Sequence, residues 1–155
     1  MTRAILILIY VLTCTSAGGA QDSENKNGKS NNETKKFVGT WQVTKHIDTS
    51  GKPAPEDEIR EFTFLFKEDK LVMKPKKESA GAEFSSKKDG AKSPKWLDLE
   101  FSVSGSKLIW LGIYRFNGDH LEICMAREFD EKPSARPSEF KASEKSVFFV
   151  LKRKQ

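Results

Sequence analysis

His120, Glu122 and Cys124 stand two residues apart, so an extended strand projects them from one face with the donor types that bind a transition metal. A closed structural site usually needs four ligands, and the chain has one other histidine, His46. The expectation is therefore a half-exposed polar strand face with no metal. Nucleophilic chemistry finds even less. The chain has no Gly-x-Ser-x-Gly elbow, no P-loop, no dinucleotide fingerprint and no cysteine beside a plausible histidine base. Glu56 and Glu58 are paired acids, but they lie in a charged stretch where ordinary solvation accounts for them. No catalytic residue and no cofactor are expected, and the chain reads as a non-enzyme.

A different set of side chains suggests binding. Phe62, Phe64, Phe66, Trp110, Tyr114 and Met125 fall on the apolar faces of alternating segments, with Gly112 among them as a position without side-chain bulk. Together they could line the inside of a barrel and hold an apolar or amphipathic molecule, entered beside the Pro53 to Ile59 connection. Equally, the same side chains could fill the interior and leave it solid.

The elements that must position them are strands. Phe37 to Ile47 is rich in β-branched and aromatic residues and ends at Asp48-Thr49-Ser50-Gly51. Glu56 to Arg60 suits one helical turn, with Pro55 before it and acids first. Phe62 to Phe66 and Lys70 to Lys74 follow as strands, the second ended by Pro75. Lys76 to Pro94 offers little to bury and reads as a solvated hairpin or edge with a short strand at Ala82 to Ser86. Leu97, Leu99, Phe101 and Val103 then alternate with Trp96, Asp98, Glu100 and Ser102, one face for a core and one for water.

Asn117-Gly118 between two β-rich runs marks a hairpin, because a type I′ turn needs positive φ at both central residues. Taking those two residues as the loop sets Tyr114 opposite Leu121, Gly112 opposite Ile123 and Trp110 opposite Met125. The other face pairs Arg115 with His120, Ile113 with Glu122 and Leu111 with Cys124. In that pairing Arg115 opposes a cation at His120. A long connection from Glu128, punctuated by Pro133 and Pro137, carries Phe140, and Ser146 to Arg153 closes the set. The sum is about eight strands with almost no helix, an all-β antiparallel barrel whose interior admits side chains or one small ligand.

Residues 1–20 have the layout of a secretory signal peptide: Arg3, the apolar run Ala4 to Leu12, then small residues up to Ala20. The run is too short to span a bilayer, which takes about 20 apolar residues. Export to a periplasm or the exterior is the expectation, with a lipid anchor through Cys14 as the alternative. Residues 21–36 hold no apolar side chain and read as a disordered linker, so the folded domain is placed at residues 37–155. If Cys14 is removed or lipidated, Cys124 has no partner for an intramolecular disulfide. The 27 Lys and Arg are interspersed among 22 Asp and Glu, and only Lys152-Arg153-Lys154 forms a run, which speaks against a nucleic-acid surface.

Gly39-Thr40-Trp41 at the head of the first strand resembles the Gly-x-Trp signature of lipocalins. That resemblance implies that Trp41 plugs one end of the barrel, that Gly39 lets the chain cross close to it, and that a basic side chain, Lys152 or Arg153, packs over the indole. Further stretches extend the likeness in order: Gly51-Lys52-Pro53, Lys95-Trp96-Leu97-Asp98-Leu99, Leu111-Gly112-Ile113-Tyr114, Gly118-Asp119-His120-Leu121-Glu122-Ile123-Cys124 and Arg136-Pro137-Ser138-Glu139-Phe140. From Phe37 to Lys154 the chain is similar to a lipocalin-like domain family expanded in planctomycete bacteria, from which no catalytic residue transfers; Lys76 to Pro94 departs most from it.

The expectation that follows is an exported, non-enzymatic binding protein with a small hydrophobic ligand in the barrel. The rival is an envelope module with a filled barrel that meets a protein or polymer through its outer surface. Ile109, Leu111 and Ile113 favour the rival, since they give one strand a second apolar face. That face must be covered either by the chain's own loop through Phe140 or by a partner.

Overall fold

The computed structural model describes residues 32–76, 80–103, 106–126 and 135–155. The signal-peptide segment, Cys14 and residues 21–31 of the linker lie outside this set, as does the first part of the long connection before the last strand. Eight antiparallel strands close into one barrel, each paired with its neighbours in sequence and the last paired with the first. They are β1 (Gly39–Ile47), β2 (Thr63–Phe66), β3 (Lys70–Lys74), β4 (Ala82–Asp89), β5 (Lys95–Val103), β6 (Ser106–Asn117), β7 (His120–Ala126) and β8 (Ser146–Arg153). Closure pairs β1 with β8 and leaves no exposed sheet edge. Among the described residues no helix is long and apolar enough to cross a membrane.

Alternation along the strands sorts two clusters. Inside the barrel lie Val43, Phe64, Phe66, Leu71, Met73, Phe84, Leu97, Leu99, Tyr114, Leu121, Ile123, Met125, Val147, Phe149 and Leu151, all buried. Outside it, Ile113, Cys124 and Phe148 form a smaller cluster with Ile47, Trp96, Phe140 and Val150. A bulge makes the two compatible on β1. Between Val43 and Lys45 the pairing with β8 slips at Thr44, which turns over the faces of the residues that follow. His46 thereby stacks on Phe149 with ring centres 4.4 Å apart, while Ile47 joins the outer cluster.

In three places the sequence-based expectation differs from the structure. First, the β6–β7 loop is Gly118-Asp119, not Asn117-Gly118: Asn117 pairs with His120, Arg115 with Glu122, Tyr114 with Ile123 and Gly112 with Met125. Gly118 takes the positive φ, 61°, at the first loop position. The shift preserves every face and changes the partners. Its cause is Glu122, which is 8% exposed and receives Arg115 Nε at 2.7 Å and Asn117 Nδ2 at 3.0 Å in this register. Opposite Ile113 that carboxylate would lack these partners. Burial by itself would raise the Glu122 pKa, but the hydrogen bonds from Asn117 and Arg115, with the Arg115 charge, outweigh it and hold the pKa below the ordinary value.

Second, the segment read as a solvated edge contributes a full wall strand, β4, with Phe84 and Ser86 buried. Third, residues 32–37 are helical and Phe37 is not part of the first strand. Phe37 is fully buried against Phe66, Tyr114 and Phe116, with ring centres 4.7 to 5.1 Å away, so the ordered domain includes residues that composition assigns to the linker.

Candidate functional site

The barrel has two unlike ends. At one, the chain enters through residues 32–38 and leaves after β8, and the turns β2–β3, β4–β5 and β6–β7 gather there. Trp41 is 3% exposed, and its Nε1 donates to the Phe37 carbonyl at 2.7 Å. Register places Arg153 directly beside it, and the guanidinium carbon sits 4.4 Å from the indole centre. Arg153 also donates to the carbonyls of Val38 (2.6 Å) and Lys36. A Cβ at Gly39 would lie 2.7 Å from Arg153 Nη1, and the φ of 130° there is open to glycine and strained for other residues. Of the two basic candidates, Arg153 covers the indole. Lys152 turns instead toward Asp119, 3.6 Å away. This end is sealed by side chains that hold one another.

At the opposite end β1 leads to β2 through the short helix Glu56–Arg60. Gln42 ties that helix to the wall by donating to the carbonyls of Ile59 and Phe62, both at 2.9 Å. Two aromatic groups face this end from different arcs of the wall. On the β8–β1–β2 arc, Phe62 packs edge-on against Phe64 and Phe149, 5.3 and 5.9 Å away, with His46 at 6.5 Å. On the β4–β5–β6 arc, Phe84 contacts Phe101 at 5.1 Å and Trp110 at 5.0 Å. Phe62, Phe101 and Trp110 are only partly buried, whereas Phe64, Phe66, Tyr114 and Met125 have at most 1% exposure.

The residues proposed from sequence to line a pocket thus separate. Phe66 and Tyr114 belong to the packing beneath the sealed end, while Phe62 and Trp110 reach the other. Phe84, Phe101 and His46 were missed. Phe101 shares the alternation of Leu97 and Leu99 and was within reach of the sequence, whereas His46 faces inward only because of the bulge. Gly112 leaves no gap opposite Ile123, because its neighbours across the ladder are Leu97 and Met125. A Cβ there would meet the Leu97 carbonyl at 2.8 Å, Met125 Cγ at 3.0 Å and the Cys124 carbonyl at 3.2 Å. Two of those three atoms are backbone and cannot step aside. Gly112→Ala is expected to destabilise the barrel by about 1–3 kcal/mol through overpacking, read as a lower urea midpoint at unchanged m-value; an unchanged midpoint would contradict the close packing.

On the outer wall, the stretch from Arg136 to Phe140 clasps the barrel. Arg136 pairs with both Asp98 oxygens at 2.5 and 3.0 Å, donates to the Gly112 carbonyl at 2.6 Å and lies 4.1 Å from the Trp96 ring centre. Phe140 lies under Arg115 at 4.3 Å and against the outer cluster. Cys124 Sγ donates to the Lys141 carbonyl at 3.3 Å, and burial pushes its pKa up, so the thiol is a packed group and not a poised nucleophile. The loop covers Ile113, but Ile109 at 43% exposure stays outside it; Leu108 lies opposite Phe101 and shares its inward parity.

Glu122 is engaged by Arg115, His120 Nδ1 lies 2.7 Å from Asp119, and among the described residues no group of three or more His, Cys, Asp or Glu is arranged to hold an ion. Comparison of the chain with protein-family models, with curated proteins and with solved structures gives no match.

Proposed function

We propose that this is an exported, non-enzymatic binding protein of lipocalin-like type that takes a small apolar or amphipathic molecule at the end of the barrel bearing Phe62, Phe101 and Trp110. One observation carries the reading: aromatic side chains that pack on a buried core are left partly uncovered at that end, on two arcs of the wall, while the other end is closed by Trp41, Phe37 and Arg153. Partly exposed aromatic side chains are the usual contacts of small-molecule sites. The deeper ring of Phe64, against Phe62, serves as its floor and not as a contact, while Phe66 and Tyr114 pack beneath the sealed end.

The test is titration with an apolar naphthalene-sulfonate probe. Saturable enhancement, with quenching of tryptophan emission that is lost in Trp110→Phe, is the expected result. The paired change Phe62→Ser and Phe101→Ser should weaken the probe by about tenfold, since two aromatic contacts are each worth roughly 0.5–1 kcal/mol. Absence of saturable enhancement would remove the proposal. A second reading, contact of the outer wall with a protein or envelope polymer, rests on Ile109, which remains exposed beyond the reach of the Phe140 loop. It requires that Ile109→Lys abolish such contact while leaving the probe titration unaltered.

A further inference from the structure

At the sealed end a carboxylate lies where a ligand would be expected. Glu33, in the helical turn of residues 32–37, pairs with Lys95 at the start of β5, and its side chain is 17% exposed. Gly90 in the β4–β5 turn makes room for it, because a Cβ at that position would collide with the Glu33 carboxylate. The same absent Cβ would lie 3.5 Å from the Tyr114 hydroxyl, which therefore faces this spot. Tyr114 is 1% exposed, and its hydroxyl is buried without a hydrogen-bond partner of good geometry. Burial, followed by the nearby Glu33 charge, pushes its pKa well above the usual phenol value, so it stays a donor throughout the physiological range. Lys95 also lies 6.0 Å from the Tyr114 ring centre.

We propose that Lys95, Tyr114 and Gly90 form a carboxylate-binding site at the sealed end of the barrel, that Glu33 of the chain's own N-terminal turn occupies it, and that a small monocarboxylate takes it when Glu33 is withdrawn. The site offers what a carboxylate needs: an ammonium, a neutral phenol hydroxyl with a free hydrogen to donate, and a wall position without a side chain. Among the described residues Glu33 is fixed by its pair with Lys95 and its seat beside Gly90. Phe37 and Trp41 are anchored independently in the core and by Arg153, so Glu33 can leave without unsealing the barrel. As a tethered group Glu33 acts at an effective concentration in the millimolar range or above, so an external carboxylate must exceed that to compete in the wild-type chain.

The proposal is independent of the site at the opposite end and is tested on the full chain by chemical rescue. Glu33→Ala vacates the position at a partly exposed helical turn. Propionate should raise the melting temperature of Glu33→Ala saturably, by about 4 °C at ten times its dissociation constant. Wild type and the double variant Glu33→Ala with Lys95→Met should not respond over the same range. Saturation-transfer NMR from Tyr114 ring protons to propionate should be seen with Glu33→Ala and not with the double variant. Equal shifts in all three proteins would mean a general salt effect, and no shift in Glu33→Ala would mean that Glu33 is only a structural ion-pair member; either result overturns the proposal.

Discussion

Trp41→Ala is expected to destabilise the barrel by about 3–5 kcal/mol, measured as the loss in free energy from urea unfolding followed by circular dichroism. The figure is the full range for a core aromatic because the neighbours cannot close the gap. Phe116 lies 6.2 Å from the indole centre, Arg153 4.4 Å from it, and the Phe37 carbonyl accepts from its Nε1, and each of these residues is held by a separate element. Removing the ring also leaves the Phe37 carbonyl without its 2.7 Å donor and the Arg153 guanidinium without the aromatic face it covers. Trp41→Phe should restore most of the packing but not the hydrogen bond, and so recover more than half the loss. A cost under about 1 kcal/mol for Trp41→Ala would show that this end is sealed by Phe37 alone, and that the indole is a lid and not a keystone.

Arg136→Ala should cost about 2–3 kcal/mol and loosen the loop that covers the outer wall. One side chain supplies a bidentate ion pair, a hydrogen bond to a backbone carbonyl and a stacked contact with Trp96, and its own exposure is only 16%. Taking one partner from a buried pair costs 3–5 kcal/mol, and the 31% exposure of Asp98 brings water to the orphaned carboxylate and places the estimate at roughly 2–3. A second readout separates loop release from general instability. In a Cys14→Ser background Cys124 is the sole thiol. It is buried beneath the loop, so its alkylation under native conditions should accelerate at least tenfold in Arg136→Ala, while Trp41→Ala, at the sealed end, should accelerate it only as far as global unfolding does. Equal protection of Cys124 in Arg136→Ala and its parent would mean that Phe140 and Ser146 hold the loop without the arginine.

Strands were legible in the sequence where it carries either a continuous apolar run or strict alternation. The apolar runs of Lys70 to Lys74 and Ser146 to Arg153 have the same bounds in both, and the inward set of β5 follows from period two alone. Alternation is a local property, and a side chain's face depends only on its own strand. Register is not local. Sliding β6 against β7 by two residues leaves every face unchanged, so periodicity could not choose between the two hairpin loops; the buried Glu122, which needs Arg115 and Asn117, decided it. β4 was obscured for a related reason: Phe84 is its one large apolar side chain, and Ser86 and Lys88 share its parity. Lys88 stays on the Phe84 side by donating to the Glu68 carbonyl at 2.8 Å and Ser86 Oγ at 2.9 Å and by lying 5.4 Å from the Phe37 ring centre.

Gly39-Thr40-Trp41 marked the head of the barrel, but which cation would cover the indole depended on where the closing strand ends in three dimensions, and Arg153 lies opposite Trp41 while Lys152 points to Asp119. The clasp was unreadable for the same reason: Asp98, Gly112 and Arg136 are 14 to 38 positions apart, and only the barrel brings them within hydrogen-bond reach. Glu33 is the extreme instance. In a stretch without an apolar residue, composition speaks for a solvated linker, yet a lysine 62 positions later holds its carboxylate beside a buried tyrosine. By itself the sequence determined an all-β barrel and the face of most of its strands, because those depend on the order of residues along one segment. Tertiary structure alone decided the strand partners, the two ends and the tenant of the sealed one, because each of these is an energy of contact between segments that the chain order keeps apart.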